Sequence, residues 1–123
     1  MNGKEIFVDT NILLYLLNGN DTIENLLQGK TILISFITEL ELIGFKKLTP
    51  HEEIEIQQLL NECSIIHLNN AIKSCYVELR KKYNLKLADT IIAASAMQSQ
   101  LPLFTADKQF RTIKELNMLS YES

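Results

Sequence analysis

The sequence holds only two cysteines, two prolines, four glycines, two histidines and four aspartates in 123 residues. Cys63 and Cys75 show no Cys-x-x-Cys spacing, which excludes a disulfide framework and a thiolate metal site. Both are expected to be reduced and buried. His51 and His67, one in an acidic helical segment and one at a strand end, form no nitrogen-ligand cluster and read as structural or solvated. Scarce Gly and Pro leave no linker, repeat or low-complexity tract, so residues 1–123 read as one domain. The longest uniform apolar run, from Ile12 to Leu17, is six residues, far short of the ~20 of a membrane span. The run Ile6-Phe7-Val8, cut by Asp9 and Asn11, is too brief for a signal-peptide core. A cytoplasmic location is the expectation. Basic charge is not in excess either. Twelve Lys+Arg against 15 Asp+Glu give a formal −3, which at face value counts against the basic footprint of a nucleic-acid binder.

What is present is ordinary globular material, 46% hydrophobic and 22% charged, enough to exclude wholesale disorder. Four short, continuously apolar runs read as strands buried on both faces of a parallel sheet: Glu5–Val8, Thr31–Ser35, Ser64–Leu68 and Leu103–Thr105. Met118–Tyr121 is a candidate edge strand. Helical patterns lie between them. Asn11–Leu17 starts behind Thr10 and Thr22–Gln28 behind Asp21, both read as caps. Phe36–Leu48, Glu52–Asn61 (starting near Thr49-Pro50), Ala71–Tyr83 and Ala88–Gln100 follow, with a short helix after Asp107. This alternation predicts an α/β fold, with ligands bound outside the carboxyl ends of the strands.

Four acids fall where they are costly or where that rule points. Asp9 follows the first strand directly, and Asp107 follows Leu103–Thr105 by two residues. Each is either a helix cap or a carboxylate aimed into the crevice. Glu41 shares a largely apolar helical stripe with Ile37, Phe45 and Leu48, where an unpaired carboxylate is costly to bury. Glu39 is its rival, on a stripe that reaches water more easily. Asp89 shares a face with Ile92, Ala93 and Ala96, which a first-turn acid serving the helix dipole does not explain. Gathered at one sheet edge, four carboxylates raise each other's pKa unless a cation binds. Oxygen ligands alone suit Mg²⁺ or Mn²⁺ rather than Zn²⁺, and carboxylate-held magnesium commonly serves phosphate chemistry.

These residues resemble the PIN-domain nucleases, and within them the VapC-like toxins of bacterial toxin–antitoxin pairs. The resemblance rests on Phe7-Val8-Asp9-Thr10-Asn11, on Ser35 to Gly44 with its Ser, Thr, Glu-Leu and Gly, on Leu87-Ala88-Asp89-Thr90 running to Ala96, and on Pro102 to Asp107 followed by Phe110. It covers residues 7–110 and selects Glu41 over Glu39. It implies a three-layer α/β/α domain around a parallel sheet of about four to five strands. It implies Asp9, Glu41, Asp89 and Asp107 as catalytic, metal-binding acids, with Asn11 and Thr105 supporting them. It implies Mg²⁺- or Mn²⁺-dependent endonucleolytic hydrolysis of single-stranded RNA by in-line attack of water, a VapB-like antitoxin partner and a homodimer. Thr90 departs from the small residue many relatives carry there. The segment between residues 45 and 85 carries no motif.

Arg80, Lys81, Lys82 and Lys86 precede Asp89, while Lys108 and Arg111 follow Asp107. They are the candidate RNA-binding cations, against the alternative of a solvated helix face; Lys73 fits that alternative better. Tyr83 is either a base-stacking ring or a rim residue. The leucines of Asn11–Leu17 exceed one core face and suit a partner surface. Competing readings are a non-hydrolytic receiver-like Mg²⁺ module, a phosphatase, an inactive PIN-like scaffold, and a PIN-like RNA-processing nuclease that is not a toxin. The receiver reading lacks a second acid beside Asp9 and an Asp after Ser64–Leu68. The phosphatase reading lacks an acid at Asn11. If the four acids hold metal, 12 basic residues face 11 acidic ones, a formal +1. The acidity then belongs to the site, and the rest of the surface is near neutral.

Overall fold

The computed structural model describes residues 4–122. Five strands, β1 (Glu5–Val8), β2 (Thr31–Ser35), β3 (Ser64–Ile66), β4 (Leu103–Thr105) and β5 (Met118–Ser120), alternate with six helices. These are α1 (Thr10–Leu17), α2 (Asp21–Leu27), α3 (Phe36–Ile43), α4 (Pro50–Asn61), α5 (Asn70–Lys82) and α6 (Leu87–Gln98). A 3₁₀ helix spans Lys108–Thr112. The strands form one sheet in the order β3-β2-β1-β4-β5, and every neighbouring pair is parallel.

The apolar runs predicted burial on both faces, and alternation along each strand delivers it. Phe7, Leu33 and Leu103 point into one layer with Ile72, Leu79, Ile92 and Phe110. Ile6, Val8, Ile32, Ile34 and Phe104 point into the other with Ile12, Leu13, Ile23, Leu42 and Leu59. The sheet is thereby sandwiched between α5, α6 and the 3₁₀ helix on one side and α1 to α4 on the other, an α/β/α domain. Phe7 is wholly buried, and truncating such a ring to alanine costs about 3–5 kcal/mol.

Several predicted boundaries move, each for a local reason. Thr10 does not cap α1; Asp9 does, in extended backbone, with its side chain accepting from the Thr10 amide. Asn20, not Asp21, caps α2, and Asp21 lies in the first turn. The helix expected to run to Leu48 ends at Ile43. Gly44 receives the chain there, and a Cβ on it would lie 2.7 Å from the Leu40 carbonyl oxygen. Thr49 and Glu52 close a reciprocal capping box that starts α4 at Pro50 rather than Glu52. The third strand stops at Ile66, two residues short of Leu68, because Asn69 already caps α5.

Strand order reverses at β1: the chain adds β2 and β3 on one side, then crosses to place β4 and β5 on the other. Such a switch point opens a crevice at the strands' carboxyl ends. Asp9, just past β1, and Thr105, at the end of β4, stand at its mouth.

Candidate functional site

Asp9 is set by three elements. Its amide donates to the Phe104 carbonyl at 3.0 Å, tying β1 to β4. Carboxylate Oδ1 accepts from the Thr10 amide at 2.8 Å, and Oδ2 accepts from Thr105 Oγ1 at 2.7 Å. The residue is 4% exposed. Burial pushes its carboxyl above the ordinary value. The bonds from Thr105 and Thr10 pull it back, and the charges of Asp89 and Asp107 push it up again. The capping and functional readings of Asp9 are therefore not rivals: one oxygen caps α1 and the other binds Thr105 at the crevice.

Asp89 lies in the first turn of α6, half-buried. Its carboxyl is raised by burial first, then by the charges of Asp107 and Glu41, with Lys86 opposing them. Asp107 caps the 3₁₀ helix by accepting from the Gln109 amide at 2.9 Å, while its own amide donates to Thr105 Oγ1. Thr105 thus links two of the acids.

Glu41 is exposed rather than buried, which overturns the burial argument made for it. Its stripe partner Phe45 is itself 42% exposed. Glu39 is the more buried of the two but does not face the crevice. What sets Glu41 apart is Thr10, whose Oγ1 donates to Glu41 Oε1 at 2.5 Å and lies 3.0 Å from Thr38 Oγ1. Thr10 and Thr38 were missed as site residues. The available signal was spacing: Thr38 sits three residues before Glu41, on the same helix face.

The four acids line one open cavity of about 330 Å³ with Thr10, Asn11, Leu14 and Phe45. Among the described residues, no three His, Cys, Asp or Glu side chains converge into a ready-made metal cage. The oxygen-only donor set and the upward shifts of Asp9 and Asp89 fit a divalent cation at this place.

A family model for the PIN domain matches residues 6–116. The chain belongs to the PIN-domain family. As a PIN domain it is 34% identical to a chain of a toxin–antitoxin complex from Klebsiella pneumoniae, with a TM-score of 0.81 over 96% of this chain and 99% of that one. It is 26% identical, with a TM-score of 0.83, to a chain of VapBC2 from Rickettsia felis bound to a promoter DNA fragment, again over 96% and 99%. A chain of VapBC-1 from nontypeable Haemophilus influenzae is 26% identical with a TM-score of 0.77, over 94% and 97%. No curated protein matches. The similarity is to VapC-like PIN domains, and no finding favours the receiver-like or phosphatase readings.

The expected cations divide into engaged and available groups. Arg80 donates to the Leu85 carbonyl at 2.6 Å, bracing the turn into α6. Lys82 pairs with Glu115 at 2.8 Å and Lys81 with Glu78 at 3.8 Å. Tyr83 donates its hydroxyl to Glu115 and accepts from the Lys114 amide, a rim clasp. Lys86 is close enough to act on Asp89. Lys108 and Arg111 lie on the 3₁₀ helix beyond Asp107. His51 and His67 are exposed, and His51 lies 3.6 Å from Glu55. Both cysteines are free and half-buried rather than buried. No helix among the described residues is long and apolar enough to cross a membrane.

Proposed function

We propose that this PIN domain is a Mg²⁺- or Mn²⁺-dependent endoribonuclease of single-stranded RNA, the cytoplasmic toxin of a toxin–antitoxin pair. The observation that carries the reading is the gathering of Asp9, Glu41, Asp89 and Asp107 around one crevice at the sheet's switch point. These four acids would hold the cation, which when bound supplies charge neutralisation at the phosphodiester and a more acidic attacking water. The chain's own groups do the positioning. Thr105 and the Thr10 amide fix both oxygens of Asp9. The Thr10 hydroxyl orients Glu41. Asn11, exposed at the crevice wall, is placed to orient water or phosphate. Lys86, beside Asp89, offers a cation to the strand.

The relatives solved as toxin–antitoxin complexes support a VapB-like partner. Exposed Leu40, Ile43 and Phe45 on and after α3 give such a partner apolar surface beside the acids. A homodimer belongs to the same reading.

The test incubates the protein with single-stranded RNA in Mg²⁺, in Mn²⁺ and in chelator, alongside Asp9→Asn. Metal-dependent cleavage lost in the variant is expected. Equal cleavage by both proteins, or undiminished cleavage in chelator, would sink the reading.

A further inference from the structure

Beyond the acid crevice lies a second, separate cavity of about 290 Å³, lined by Tyr15, Asp107, Lys108, Arg111, Tyr121 and Glu122 among others. Asp107 lines both spaces, so the two share a wall. Two elements run from one to the other. On α1, Asn11 faces the crevice and Tyr15, four residues on and therefore on the same helix face, faces the second cavity. At the end of β4, Asp107 faces both, and the 3₁₀ helix it caps carries Lys108 and Arg111. Side chains three apart on a 3₁₀ helix eclipse one another, so both cations stand over the same wall.

The chemistry of this cavity differs from that of its neighbour. The crevice gathers four carboxylates. The second cavity offers two cations and two rings. Tyr15 and Tyr121 lie with centroids 5.7 Å apart and planes tilted by 53°. Tyr121 is held in place by an edge contact with Phe104 and a hydrogen bond from Asn20. Lys108 makes no ion pair among the described residues, and Arg111 is paired at 3.0 Å only with Glu122, both largely exposed. Such a pair is weak and screened, so an anion of higher charge can displace it.

We propose that this cavity is a nucleotide subsite for single-stranded nucleic acid. It takes the residue adjacent to the scissile phosphate, with its base against Tyr15 and Tyr121 and its phosphate on Lys108 and Arg111. The inference rests on the nuclease reading of the acid crevice and extends it. Aromatic rings beside cations are the sequence-tolerant means of holding a single strand. Glu122 then acts as a stand-in anion, occupying Arg111 until phosphate arrives.

The experiment measures binding, not turnover. A fluorescein-labelled ten-nucleotide single-stranded RNA is titrated by anisotropy against the full chain carrying Asp89→Asn, in Mg²⁺, over a range of salt. Adding Lys108→Ala with Arg111→Ala is expected to weaken binding about tenfold or more and to flatten the salt slope by roughly 0.7, the value for one phosphate no longer neutralised on a single strand. Removing equal charge elsewhere, with Lys73→Ala and Lys114→Ala, is expected to change the slope far less. Glu122→Gln frees Arg111 and is expected to tighten binding several-fold, an effect of opposite sign that partial unfolding cannot mimic. Affinity and slope unchanged by the Lys108/Arg111 pair and by Glu122→Gln, or changed as much by the Lys73/Lys114 pair, overturn the subsite. So does loss of affinity in the first variant for an acidic peptide such as polyglutamate but not for RNA, which would make the cavity a protein contact. RNA binding that behaves as expected with no cleavage by the unmutated chain upholds the subsite and removes the nuclease reading. Cleavage with indifferent variants does the reverse.

Discussion

Thr10 Oγ1 donates to Glu41 Oε1 at 2.5 Å across 31 positions of sequence, and the same hydroxyl meets Thr38 Oγ1 at 3.0 Å. One hydroxyl thereby docks the start of α1 on the middle of α3 and fixes the most exposed of the four acids. A glutamate on a helix face has three rotatable bonds, and freezing them costs side-chain entropy. The threonine holds one orientation before any ligand arrives.

Thr10→Val keeps the shape and removes the donor. A hydrogen bond to a charged group contributes about 1.5–3 kcal/mol, so RNA cleavage should fall roughly 10- to 100-fold if the orientation of Glu41 matters in the transition state. Thr10→Ser, which keeps the hydroxyl, should recover most of it. Steady-state cleavage of one oligonucleotide by the three proteins checks this, with melting temperatures measured alongside. Full activity in Thr10→Val would show that Glu41 needs no such partner.

Asp89 should weaken the metal-free fold at neutral pH. Its folded pKa is raised above the ordinary 3.8 by burial and by the charges of Asp107 and Glu41. Folding therefore favours the protonated carboxyl. That contribution is fully present below the ordinary value and is lost as pH rises through the raised one. Asp89→Asn should accordingly melt higher than the parent in chelator at pH 7, and the gain should shrink toward pH 4. A variant that melts lower at pH 7 would mean that the ionised carboxylate is stabilised by contacts these residues do not provide.

Metal should reverse the same penalty. A cation that binds only the folded state stabilises it by about 2.7 kcal/mol at a hundred times its dissociation constant. For a chain of this length that amounts to several degrees of melting temperature. Millimolar Mg²⁺ or Mn²⁺ should raise the midpoint of the parent, and the shift should shrink in Asp89→Asn. Identical melting curves with and without metal would mean that the four acids do not share a cation.

Glu115 should matter in the opposite direction of pH. Hydrogen bonds from Lys82 and Tyr83 hold its carboxyl down to about 2. A depressed carboxylate adds stability above its ordinary value and loses it as pH falls through the folded one. Glu115→Gln should lower the melting temperature at pH 7, and the difference should vanish near pH 2. The group is exposed, so high salt should shrink the effect as well. Melting curves at the two pH values with and without added salt report both dependences.

The sheet was legible because its strands are buried on both sides, and such strands must be apolar at every position. Ile6-Phe7-Val8 supplies both layers from three consecutive residues. Asp9 and Asp107 were legible as strand-end acids from their positions just after apolar runs, although each also caps the helix that follows it. Glu41 shows where this reasoning stops. An apolar helical stripe does not reveal which of its members the next layer covers, and here Phe45 stays open to solvent. Its choice over Glu39 rested on the motif, not on burial. The basic run before Asp89 was equally ambiguous. Sequence gives charge, but only the fold shows that Arg80 is spent on the Leu85 carbonyl and Lys82 on Glu115.

The sequence by itself determined the element types and the parallel sheet, and it singled out four acids as candidates. These follow from local periodicity, caps and motif spacing, each decided within about a dozen residues. Tertiary structure alone decided that Thr10 serves Glu41 rather than capping its own helix, that Thr105 binds Asp9 across 96 positions, and that Lys108 and Arg111 share a cavity with Tyr15 and Tyr121. Those relationships depend on which strand lies beside which. With β4 placed next to β1 only after the chain has passed through β2 and β3, the groups that meet at the switch point are separated by most of the sequence, beyond the reach of any local signal.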